Sequence, residues 1–161
     1  NHSMQLNYCD PKADFDDVPE GKKRDDLNKR WPQLKVTKDH GMKEQPLWKE
    51  EFLKHGTCCK NLYNEEQYFD LSITLKDKFD ILSILNNQGI VPGKSYIVQK
   101  VQDAINAVTH QLPKIKCVET SLGLELSEVV ICFDPPGKNV VSCSKPGSCY
   151  KKGPTAWIKF R

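Results

Sequence analysis

The chain has 161 residues, 38% of them hydrophobic, a net charge of +3 and seven cysteines. That is enough chain for one core of ordinary size and gives no sign of a second, so residues 1–161 read as a single domain. No apolar run approaches 18 residues, which excludes a membrane-spanning helix, and the chain opens on Asn1-His2-Ser3 without a signal peptide.

Seven cysteines in so short a chain point to an oxidising compartment, and Asn1-His2-Ser3 is an N-glycosylation acceptor pattern, so the expected fate is secretion, with Asn1 the candidate glycosylated residue. The positive charge is mild and spread out. It would help a polyanion approach without identifying one.

Residues 1–18 are polar, carry Cys9 and the turn-prone Asp10-Pro11, and read as a loop. Pro19 to Trp31 reads as a short helix that buries Leu27 and Trp31 before Pro32 stops it. The mixed run from Lys22 to Asp26 reads as a solvated helix face. Val36 to Glu44 is polar and irregular. Asn64 to Gln88 holds Tyr68, Leu71, Leu75, Phe79, Leu82 and Leu85 at helical spacing, which predicts one long helix or two in series. Gly89 to Gly93 breaks it, and Ser95 is placed to cap a further helix with Val98, Val101, Ile105 and Val108 inward. From Ile115 the pattern turns to strands: Glu125 to Asp134 and Asn139 to Cys143 flank Pro135-Pro136-Gly137, and Ala156 to Phe160 closes the chain. Helices first and strands later indicate an α+β fold.

The stretch with most chemistry is Gln45 to Cys59. As a helix it puts Trp48, Glu51, Phe52 and His55 at i, i+3, i+4 and i+7 on one stripe, with Lys54 as a nearby cation. Trp48 and Phe52 would draw that face towards a core and leave a carboxylate and an imidazole partly desolvated beside them. A simple Glu51–His55 hydrogen bond on an amphipathic helix is the competing account of that pair. Gly56, able to take positive φ, would end the helix, and Cys58 would staple its end and so aim the imidazole.

The segment Trp48-x-x-Glu51-Phe52-x-Lys54-His55-Gly56-Thr57-Cys58 resembles the second active-site motif of the ribonuclease T2 family. LNKRWPQL (Leu27 to Leu34), the doubled Cys58-Cys59, the NEEQYFDL run and VPGKSYIVQKVQDAI (Val91 to Ile105) narrow the resemblance to the S-ribonucleases of plant self-incompatibility. The likeness implies a disulfide-stapled fold of several helices packed on an antiparallel β-sheet. It implies the pairs Cys9–Cys58, Cys117–Cys149 and Cys132–Cys143, which leaves Cys59 as the odd, free thiol. It also implies that His55 is one of two proton-transfer residues cleaving single-stranded RNA through 2′,3′-cyclic phosphates, with Glu51 and Lys54 positioning or stabilising the transition state. No cofactor or metal is called for, and a zinc reading of His55-x-x-Cys58-Cys59 has no second ligand cluster behind it.

By the same resemblance, residues 1–18 and 36–44 match hypervariable recognition regions. The expected partners are RNA and pollen S-locus F-box proteins, with no membrane, a monomeric state and an extracellular site in the style. The family's first motif, His-Gly-Leu-Trp-Pro, does not occur in the 161 residues. The chain is therefore expected to be partial, beginning just after that motif, and nearly inactive by itself. His2, His40 and His110 read as surface residues. Glu50 departs from the family, where a histidine that helps hold phosphate often precedes the glutamate. Two alternatives stand beside this reading: an S-like ribonuclease of defence or phosphate recycling, and a non-catalytic storage or binding homologue.

Overall fold

A computed structural model describes residues 6–161. Asn1 and His2, and with them the candidate glycosylation site, lie outside the described residues. The chain divides into two compact units, one ending at Lys78 and one running from Phe79 to Arg161.

The first unit is helical. Helix α1 (Lys22–Arg30) follows Gly21, whose φ of 137° is a conformation open to glycine, so the helix starts later than Pro19. Leu27 is fully buried and Trp31 caps the carboxyl end. Helix α2 (Lys38–Glu44) occupies a stretch that reads as irregular, because its seven residues carry no apolar stripe. The Thr37 hydroxyl accepts from the His40 N–H at its start, and Gly41 is buried against Gln33 and Val36. Gln45, in the left-handed region with φ 46°, ends α2 and begins α3 (Pro46–Lys54). The chain then tightens into a 3₁₀ turn at Gly56–Cys59, and α4 runs from Glu65 to Lys78.

The core of this unit is largely aromatic. Val18, Leu27, Trp48, Phe52 and Phe69 are buried, with Phe15, Trp31, Tyr68 and Ile73 packed against them. Phe69 rather than Tyr68 is the fully buried residue of α4, so its inward face is turned one position from the spacing that begins at Tyr68.

The second unit opens with α5 (Ile81–Asn87), which Asp80 caps by accepting from the Ser83 N–H. That cap breaks the helical run after Lys78 and resets its phase, so Ile84 and Leu85 turn inward while Leu82 is half exposed. Ser95 lies in strand β1 (Lys94–Ile97) and caps nothing; α6 (Val98–Thr109) follows directly from Ile97. Val98, Val101, Ala104 and Ile105 of α6 are buried, whereas Val108 is exposed.

Strands β2 (Lys114–Thr120), β3 (Gly123–Val130) and β6 (Trp157–Phe160) join β1 in a sheet ordered β1-β6-β3-β2. Its β1–β6 and β2–β3 ladders are antiparallel, but β3 and β6 run parallel where Glu125 meets Lys159, so the sheet is mixed rather than purely antiparallel. A separate hairpin pairs β4 (Cys132–Phe133) with β5 (Val140–Val141). Asp134 closes its turn by accepting from the backbone N–H groups of Lys138 and Asn139. Disulfides join Cys9 to Cys58 in the first unit, and Cys117 to Cys149 and Cys132 to Cys143 in the second.

Candidate active site

Helix α3 is held by polar side chains that the surrounding loops require. The buried Gln45 amide accepts from the Val18 N–H at 2.9 Å and donates to the Val18 carbonyl at 3.0 Å. Gln33 accepts from the Leu47 N–H, and the Trp48 indole donates to the Trp31 carbonyl at 2.8 Å. Each bond satisfies a backbone group that no ladder or helix could reach. With Trp48 fully buried and Phe52 nearly so, the orientation of α3 is set by its apolar side.

Glu51 and His55 emerge beside that side. Their side chains are 31% and 33% exposed, and Glu51 Oε2 lies 3.9 Å from His55 Nε2. Neither group is sequestered, and water or a substrate can reach both. His55 is the carboxyl cap of α3, its N–H donating to the Glu51 carbonyl, while its own carbonyl accepts from the Cys58 N–H. Lys54 is half-buried and, among the described residues, forms no ion pair, so its charge remains available.

Gly56 is not a positive-φ stop. It sits within the 3₁₀ turn, and its requirement is space, because a Cβ there would run into the Phe52 ring. The helix ends by tightening, with the Thr57 hydroxyl donating to the Leu53 carbonyl at 2.8 Å and Cys58 tied to Cys9. A bonded Cys58 cannot serve as a thiolate ligand, and no group of three or more metal-ligating side chains occurs among the described residues.

Of the neighbouring side chains, Tyr8 is the one to which the sequence does not point. Tyr8, held at φ 49°, donates its hydroxyl to Glu50 Oε1 at 2.5 Å and its N–H to the Lys54 carbonyl at 2.8 Å. The Glu50 carboxylate that accepts this bond holds the Tyr8 phenol above its ordinary range. Tyr68 packs on Phe52 with centroids 5.8 Å apart; burial pushes its phenol far above the ordinary range, with the charges of Glu51 and Cys59 adding to the shift. Cys59 is an unbonded thiol, raised by burial, and therefore a protonated spectator at neutral pH. His40 lies exposed on α2, and His110 is the exposed left-handed cap of α6. The only signal that could have pointed to Tyr8 is its position one residue before Cys9.

The model of the ribonuclease T2 family matches residues 1–143. The chain is 46% identical over 149 residues to Ribonuclease S-2 of Nicotiana alata, covering 92% of this chain and 68% of that protein. It is 43% identical to Ribonuclease S-F11 of the same species, covering 100% of this chain and 81% of the relative. The crystal structure of the Nicotiana alata SF11-RNase, associated with gametophytic self-incompatibility, superposes with a TM-score of 0.89 at 42% identity, over 100% of this chain and 81% of that one.

Proposed function

The chain belongs to the ribonuclease T2 family and is a T2-type endoribonuclease, and on that premise we propose that His55, Glu51 and Lys54 carry its chemistry. The observation that supports this reading is the reachable Glu51–His55 pair, 3.9 Å apart on a helix end anchored by Trp48 and Phe52. RNA brings its own nucleophile. His55 takes the proton of the 2′-hydroxyl as its oxygen attacks phosphorus, the bond from phosphorus to the 5′-oxygen breaks as that oxygen takes a proton from water, and a 2′,3′-cyclic phosphate and a 5′-hydroxyl end result. Glu51 orients the imidazole and stabilises it once protonated. Lys54 supplies charge to the non-bridging oxygens.

The two units together form one ribonuclease domain in this reading, which the family match across residues 1–143 supports. The biological role is that of a secreted, monomeric style protein, glycosylated at Asn1, that degrades RNA in pollen tubes and is bound by pollen F-box proteins. High identity to the Nicotiana S-ribonucleases supports it.

The test is cleavage of a dinucleoside phosphate by the protein expressed from its complete transcript, with products separated by chromatography. A cyclic phosphate should appear, and His55→Asn should lower kcat by about 10²- to 10⁴-fold while the thermal midpoint stays put. An undiminished rate in the variant would remove His55 from the reaction. For the biological role, residues 1–18 and 36–44 should differ between individuals; invariance there would leave an S-like ribonuclease.

A further inference from the structure

Four lysines gather at one place in the second unit. A groove of about 460 Å³ is lined by Lys114, Lys116, Lys145, Gly147, Ser148 and Lys151. Lys114 and Lys116 occupy one face of β2, with the fully buried Ile115 on the other. Lys116 is paired with Glu128 at 2.8 Å. Lys152 neighbours the groove and is paired with Glu119, whose carboxyl it holds below the usual range with a smaller contribution from Lys151. Lys114, Lys145 and Lys151 form no ion pair among the described residues. Ammonium groups gathered around one concavity repel each other, and an anion placed among them relieves that repulsion.

The walls of the groove are fixed before any ligand arrives. The Ile115 N–H donates to the Pro146 carbonyl, and the Cys117 N–H donates to Ser148 Oγ, which itself donates to the Cys117 carbonyl. The Cys117–Cys149 disulfide pins the same two segments. Gly147, at φ 101°, lies so close to the Ile115 backbone that no Cβ would fit. These bonds also decide what kind of partner fits. β2 is an edge strand, where an acidic peptide would ordinarily add by pairing its backbone. The outward N–H groups of residues 115 and 117 are already taken, so charge is the attraction that remains. A chain bearing one charge per nucleotide suits it, and the enzyme's own substrate is such a chain.

We propose that this lysine groove is a second RNA-binding site, which holds the phosphodiester backbone of single-stranded RNA without reading its bases. The proposal rests on the endoribonuclease assignment and on none of the candidate catalytic residues.

Binding of a fluorescein-labelled oligothymidylate of about 12 nucleotides, which lacks the 2′-hydroxyl and cannot be cleaved, tests it by anisotropy across a salt series. Replacing Lys114, Lys145 and Lys151 with Gln should lower the slope of log affinity against log salt by about 2, since each phosphate contact on a single strand contributes roughly 0.7. Replacing the same three with Arg should restore the slope. An unchanged slope in the glutamine protein overturns the proposal, and so does a loss that the arginine protein fails to recover. Competition by polyglutamate as effective as that of unlabelled oligothymidylate would also overturn it, in favour of an acidic protein partner.

Discussion

The two units solve the same problem by different means. In the first, short helices and long connections leave many backbone groups outside any ladder, and individual side chains satisfy them: Gln45 clamps Val18, Gln33 takes the Leu47 N–H, and Trp48 donates to Trp31. Its core is built of Trp48, Phe52 and Phe69, and one disulfide closes it. In the second, backbone pairing in the sheet performs that task over a largely aliphatic core of Ile90, Val98, Val101, Ile105, Ile115 and Ile158, with two disulfides. A unit assembled from side-chain clamps can present partly exposed titratable groups on a helix end. A sheet edge capped by its own loop presents a fixed groove instead.

Removing disulfides should expose the difference most strongly. The Cys9–Cys58 bond closes a loop of 49 residues and the Cys132–Cys143 bond one of 11. Chain-entropy arithmetic assigns about 4 kcal/mol to the first and about 3 kcal/mol to the second. Paired Cys→Ser replacements followed by urea unfolding should therefore cost more in the first unit. Equal losses would mean that loop length does not govern the effect here.

Two glycine substitutions sharpen the contrast at a smaller scale. A Cβ at Gly147 meets the Ile115 backbone at positive φ, whereas the nearest atoms to one at Gly56 are those of the Phe52 ring. Gly147→Ala should cost about 3 kcal/mol or more, because backbone cannot yield, and Gly56→Ala about 1 to 3 kcal/mol, because a ring can tilt. Thermal melting that ranks them in the opposite order would show that the aromatic core is the stiffer one.

The smallest effect concerns Asp10, whose carboxyl is held below its usual range by the hydrogen bond from Lys60, helped by the Lys12 N–H. Because its folded pKa lies below its unfolded value of about 3.9, its contribution is fully present above that pH and disappears as pH falls through the lower folded value. Lys60→Met should raise the Asp10 pKa towards the ordinary value and flatten this acid-side dependence, as NMR titration of the carboxyl would read. The pair is exposed, so stability at neutral pH should barely change.

Periodicity made local order legible in α3, and less so in α4, α5 and α6, where Tyr68, Leu82 and Val108 are not the fully buried positions. The stripe of Trp48, Glu51, Phe52 and His55 is visible in sequence because a helix returns every three to four residues, and the observed burial follows it. Helix α2 was not visible, since it lacks a stripe and depends on Thr37 and on contacts of Gly41 with Gln33 and Val36. The role of Gly56 is hidden for a similar reason: a glycine after a helix suggests a turn, and only the place of the Phe52 ring reveals a steric need.

By itself the sequence determined the α+β order of elements, the amphipathic faces and the motif by which the chain resembles its family, all of which rest on neighbours within a few residues. Tertiary structure alone decided what meets across long separations: Tyr8 on Glu50, 42 residues apart, the parallel contact of β3 with β6, and the gathering of Lys114, Lys145 and Lys151 around one groove. Such encounters depend on how loops return and which backbone groups remain to be satisfied, and no local period encodes either.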